Sequence, residues 1–271
     1  LEKFHDKEKA YQYFEKTLSL YSNHYDTLFE LGNLCIEKED WQKAAGYLSK
    51  AAENTLSLSQ KAKLYIQLGN LYRDRLENSA ESLKMYETAM KIEPDSLEAL
   101  QALSEIYFGQ SSWQELEKTL SRIINLEGQE KSYLSYYRWA FAAQKLGKEE
   151  ESLPRYLQAL EYNPQHLPSL LALAEIYDKK QECQEALSFY QRAYEIQGLE
   201  SKDTVLLRIA QLEDTLGLYQ QAAEHYQHLL LLSPKNLEVL KPLGHIYKEL
   251  GEYEKSMECY RQIIESDAHE D

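Results

Sequence analysis

The sequence predicts an all-α chain: a solenoid of short antiparallel helix pairs, laid one after another. Three observations carry this. A pattern of about 34 residues can be laid along nearly the whole chain, which argues for one quasi-one-dimensional array rather than two globular domains. Small residues recur at fixed places in that pattern, where two helices would cross. The composition is rich in Leu, Glu, Ala, Tyr, Gln and Lys and poor in Val, Thr and Pro, which disfavours strands.

The clearest copy runs from Leu167 to Glu200. Its first helix is expected at about 169–179, where Leu170, Leu173, Ala174 and Tyr177 share one face; the second is expected at about 184–196, with Ala186, Tyr190 and Ala193 aligned. The three alanines let the axes approach, and the larger residues fill the space beside the crossing. A pair this short cannot bury enough apolar surface alone and needs neighbours.

Full copies fall at 25–58, 62–96, 97–130, 133–166, 167–200, 203–236 and 237–270, preceded by a half copy at 1–24. In order, residues 1–24 give one helix with Phe4, Ala10 and Phe14 near its inner face. The crossing position of the first helices holds Gly32, Gly69, Ser104, Ala140, Ala174, Ala210 and Gly244. The small position of the second helices holds Ala44, Ser82, Leu116, Ser152, Ala186, Ala222 and Ser256, with Leu116 the exception. Their aromatic position holds Leu48, Tyr86, Leu120, Tyr156, Tyr190, Tyr226 and Tyr260, with Leu48 and Leu120 not aromatic.

Pro94, Pro164 and Pro234 each end a second helix. Gly147, Gly217 and Gly251 sit between paired helices, where the turn needs a positive φ. The copy at 62–96 carries one extra residue in its inner turn, around Leu76 to Ser79. The copy at 97–130 is the most degenerate, with Gly128 in place of the terminal Pro and a change of curvature expected there. Two-residue junctions follow at Lys131-Ser132 and Ser201-Lys202. Pro168 falls in a first helical turn, where no N–H is required. Pro242 lies deeper, so a kink or a delayed helix start is expected. Glu213 stands where the pattern is usually apolar, and a rotation of that helix toward the surface is expected rather than a buried acid.

These residues resemble the tetratricopeptide repeat: L-G-x-x-Y in the first helix, Ala, aromatic and Ala in the second, and Pro at the end. Leu68-Gly69-Asn70-Leu71-Tyr72 and Leu243-Gly244-His245-Ile246-Tyr247 match its first-helix core. The resemblance implies a right-handed superhelix whose concave wall comes from the first helices. It also implies which positions of each copy face that groove. Among them are Phe108, Leu134, Tyr137, Phe141, Leu171 and Leu207, expected to form a continuous apolar strip, with Lys145, Glu175, Lys179 and Gln211 beside it. A contiguous apolar patch marks an interaction site, and aromatic anchors are favoured in binding hot spots. The competing reading is that these side chains pack onto adjacent first helices. The clamp by which co-chaperones of this family hold acidic carboxyl-terminal tails is not matched, since Phe29, Gln67, Glu98 and Ala102 stand at its places.

The expected function is a noncatalytic scaffold or adaptor that holds an extended or helical segment of another protein. Two further readings stay open: the recognition arm of a larger enzyme, such as a glycosyltransferase with its catalytic part elsewhere, and a self-associating subunit. No cofactor is expected, for there is no phosphate loop, nucleophile elbow or metalloprotease helix, and His225 and His228 lack a third ligand. Lys and Arg number 30 against 45 acids, a net charge of −15, which disfavours nucleic acid. No apolar run reaches membrane-spanning length. Three scattered cysteines suit a reducing, cytoplasmic setting. Because the chain opens inside a copy, it reads as a fragment of a longer protein.

Overall fold

The computed structural model describes residues 2–126, 132–198, 202–234 and 236–267, with side chains from Lys7 through Glu265 within those ranges. The Phe4 side chain and residues Gly128, Lys131 and Ser201 therefore lie outside what is described. The described residues form fifteen α-helices and no strand. They group into two compact units, 1–131 and 132–271.

In the first unit, α1 (Glu2–Leu20) packs on α2 (Tyr25–Glu37), which pairs with α3 (Trp41–Asn54). Then α4 (Leu58–Asp74) pairs with α5 (Ser79–Ile92), and α6 (Leu97–Gly109) with α7 (Trp113–Leu126). In the second unit the pairs are α8 (Tyr133–Lys145) with α9 (Glu149–Tyr162), α10 (Leu167–Lys179) with α11 (Cys183–Tyr194), α12 (Lys202–Thr215) with α13 (Tyr219–Leu232), and α14 (Leu237–Glu249) with α15 (Tyr253–Asp267). Within each unit, the second helix of one pair packs on the first helix of the next.

The crossing positions explain the pairing. An ideal Cβ on Gly32 would lie 2.6 Å from Leu48 Cδ2, and one on Gly69 would lie 2.6 Å from Tyr86 Cε1. Where the crossing holds Ala140, Ala174 or Ala210, the methyl is fully buried. The facing Tyr86, Tyr156 and Tyr226 rings are buried as well. Ser82 and Ser256 add a bond across the pair: each hydroxyl donates to the carbonyl of the crossing glycine, at 2.9 Å to Gly69 and 2.7 Å to Gly244. The degenerate copy keeps its core through bulk instead, with Leu116, Leu120 and Ile123 buried.

Helix ends follow the sequence signals. α5, α9 and α13 each stop two residues before their proline. Asp40, Ser57, Asn78, Ser96, Ser132 and Asn236 cap helices by accepting backbone N–H bonds. Gly147, Gly217 and Gly251 have φ of 75°, 73° and 75°. The same turn in the other copies holds Glu39, Glu77, Ser111 and Gln181, at φ of 60°, 49°, 57° and 61°. The left-handed residue belongs to the turn itself, whether or not glycine occupies it.

One expectation fails, and one of two alternatives is ruled out. Glu213 is not turned to the surface: it is 1% exposed, and its carboxylate lies 2.7 Å from His225 Nδ1. A polar partner on the facing helix satisfies it, so the helix keeps its register. His225 is accordingly half-buried, while His228 is exposed. Of the two outcomes expected of Pro242, the delayed start is not seen: α14 begins at Leu237 under an Asn236 cap and carries Pro242 inside it. Pro154 likewise lies within α9, a position the sequence reading passed over.

Candidate functional site

The first helices of the second unit line two adjoining clefts. One, of about 500 Å³, lies between α8 and α10 and is lined by Tyr137, Phe141, Lys145, Leu171, Glu175 and Lys179, among others. The next, of about 530 Å³, lies between α10 and α12 and is lined by Leu171, Glu175, Asp178, Leu207, Arg208 and Gln211, among others. Leu171 and Glu175 belong to both, so the clefts run into one groove. Eight of the ten residues singled out from the sequence are thereby brought together. Leu134 is 36% exposed but lines neither cleft. Phe108 belongs to the first unit, half-buried, with its ring edge-on to Trp113 at 6.0 Å.

The helical period puts these side chains on one face, at steps of three and four residues along α8, α10 and α12. Packing fixes them. Tyr137 touches Phe141, Tyr156 and His166, with ring centroids 6.0, 6.1 and 4.7 Å apart. Burial raises the Tyr137 phenol above its ordinary range and lowers the His166 imidazole. His166 Nδ1 lies 2.8 Å from the Ser169 hydroxyl, holding the ring at the start of α10. Tyr137, Phe141, Leu171 and Leu207 are each half-buried: each packs partly on the core and also lines a cleft.

The second helices contribute from beneath, which the sequence reading missed. Tyr156 and Tyr190 rise between adjacent first helices to close the clefts. The Tyr156 hydroxyl donates to Gln144 Oε1 at 2.7 Å, and burial pushes Tyr190 up to about 12. Arg208 was missed too, although it adjoins a groove position. Its guanidinium forks onto Asp178, Nε to Oδ2 at 2.6 Å and Nη2 to Oδ1 at 2.5 Å, and Nη1 donates to Gln211 Oε1 at 2.8 Å. That bidentate pair ties α12 to α10 across the groove floor.

The groove is lined by apolar, polar and charged side chains. Among the described residues no cluster of three His, Cys, Asp or Glu side chains is placed to hold a metal ion, and no helix is long and apolar enough to cross a membrane. What it offers is a shaped apolar floor between charged walls.

A sequence model of the tetratricopeptide repeat matches residues 2–198, and a second model of the same repeat matches 204–236 and 243–270. The chain belongs to the tetratricopeptide repeat family. Superkiller protein 3 of Schizosaccharomyces pombe is 23% identical over 237 residues, 83% of this chain and 17% of that protein. Protein CTR9 homolog of Arabidopsis thaliana is 23% identical over 215 residues, 74% of this chain and 19% of that protein. The chain thus spans less than a fifth of the length of either. Among solved structures, Naa15/Naa10 bound to HypK-THB has a TM-score of 0.61 at 18% identity, over 90% of this chain and 37% of that one. YrrB, a tetratricopeptide repeat protein with an unusual peptide-binding site, has a TM-score of 0.55 at 16% identity, over 72% of this chain and 96% of that one. At these identities the structures share the fold. Tetratricopeptide repeats act as protein-interaction scaffolds.

Proposed function

We propose that the chain is a noncatalytic scaffold whose second unit holds an extended or helical segment of another protein in the groove over Tyr137, Phe141, Leu171 and Leu207. One observation carries this most: four large apolar side chains line two adjoining clefts that share Leu171, where the repeat pattern requires none. Fixed aromatic and aliphatic anchors lose little freedom on binding, so most of their contact energy is realised. A YrrB-like peptide site fits the same family behaviour. Assembly with other proteins, as in Naa15/Naa10 bound to HypK-THB, fits it too.

The test is site-specific photocrosslinking. A benzophenone side chain at Leu171 is expected to capture partner peptides, identified by mass spectrometry, that the same group at exposed Gln158 on α9 does not. Equal capture at the two places would sink the groove reading.

A further inference from the structure

The groove's charges are unequally satisfied. Lys179 Nζ lies 3.8 Å from Glu149, and Arg208 is forked onto Asp178. Two charges remain. Lys145 Nζ rests over the Phe141 ring, 5.0 Å from its centroid, and has no carboxylate partner among the described residues. Glu175 is exposed, lines both clefts and has no cationic partner among the described residues. Both lie on the rim of the apolar floor.

A segment that covers Leu171 shields both groups from water. An ammonium or carboxylate covered without a counter-charge loses hydration and gains nothing in return, so segments lacking the right charges are rejected. Resting on the groove reading, we propose that the bound segment is bipolar: an acidic side chain opposite Lys145, a basic one opposite Glu175, and an apolar anchor between them on Leu171. Lys145 ends α8 and Glu175 stands within α10, and these helices flank a shared cleft, so the two charges lie one helix diameter, about 10–12 Å, apart. The two charges of the segment are then separated by about three residues if it is extended, or about seven if it is helical. The chain's net charge of −15 favours basic partners at long range. The groove asks instead for both signs, in a fixed order relative to the anchor.

The test pans a phage-displayed random 12-residue peptide library on the whole chain and on three variants: Lys145→Glu, Glu175→Lys and Leu171→Ala. Circular dichroism checks that each variant keeps its helices. Peptides selected on the unaltered chain are expected to carry one acid and one base at either of those spacings. On Lys145→Glu the acid is replaced by a second base; on Glu175→Lys the base is replaced by a second acid. A bipolar peptide from the first selection is expected to bind either charge variant about five- to tenfold more weakly. If all three selections share the same charge statistics while Leu171→Ala loses the peptides, the bipolar reading falls and the groove stands. If Leu171→Ala selects the same peptides as the unaltered chain, the groove reading itself falls.

Discussion

Glu213 on α12 and His225 on α13 face each other across 2.7 Å inside their helix pair, the carboxylate buried and the imidazole half-buried. The bond from Glu213 raises the pKa of His225 above its ordinary 6.5. The stabilising contribution is therefore complete below about pH 6.5 and is lost as pH rises through the raised value. With the imidazole about a third exposed, solvent screening holds it to about 1 kcal/mol. Urea unfolding between pH 5.5 and 8.5 is expected to show the unaltered chain weakening relative to Glu213→Gln, which keeps a hydrogen bond but no charge. Parallel pH profiles for the two would contradict the assignment.

Gly69 is set against the Tyr86 ring and Gly244 against Tyr260, but the clearances differ. An added methyl would meet Tyr86 at 2.6 Å and Tyr260 at 3.2 Å. Tyr260 is 42% exposed and has room to yield, whereas Tyr86 is fully buried. Alanine gains about 1 kcal/mol of helix propensity over glycine, while overpacking costs about 1–3 kcal/mol. Gly69→Ala is expected to lower unfolding free energy by about 1–2 kcal/mol, and Gly244→Ala to leave it near neutral. Denaturant midpoints of the two variants decide it.

Gln181 holds φ of 61° in a turn where other copies use glycine. A left-handed L-residue is strained by about 1–2 kcal/mol. Glycine removes the strain but gives back about 0.4–1 kcal/mol through the freer unfolded chain. Gln181→Gly is thus expected to stabilise the chain by about 0.5–1 kcal/mol, and Gly147→Ala to destabilise it. Melting temperatures moving the opposite way would show the turn relaxing.

Tyr137 separates packing from recognition. Its ring touches three aromatic neighbours, so Tyr137→Phe is expected to keep both fold and peptide capture. Tyr137→Ala removes a half-buried ring and is expected to cost about 2 kcal/mol of stability and about tenfold in affinity for peptides selected on the groove. Calorimetric titration with one such peptide reads the second figure. Undiminished affinity in a folded Tyr137→Ala chain would detach this ring from binding.

How far the sequence could be read follows from periodicity. Gly69, Ala140 and Ala174 announce their crossings because only a small residue fits there, and Pro94, Pro164 and Pro234 announce stops because they lack an N–H. Tyr137, Phe141, Leu171 and Leu207 are expected at the groove from the resemblance to the repeat family, not from spacing alone. Glu213 could not be placed, since its partner His225 lies on the facing helix, where only the folded pair shows the match. Arg208 was invisible for the same reason: Asp178 lies 30 residues away and meets it only once α10 and α12 adjoin. Tyr156 and Tyr190 read as core, and their second role as groove walls depends on how two pairs stack.

The inner turns close in a shared way. The residue opening the second helix sends its N–H back to a carbonyl near the end of the first: Glu182 to Tyr177 at 2.9 Å, Lys148 to Ala143 at 2.9 Å, Glu252 to Tyr247 at 2.8 Å. In the copy with one residue more, Asn78 reaches Tyr72 at 2.8 Å and the latch still shuts. A single inserted codon, which in a β-strand would flip every later side chain to the wrong face, is swallowed at the bend and leaves both helices in phase. Evolution can lengthen such a bend without disturbing either neighbour, which makes it the natural place to graft a tag or a new loop.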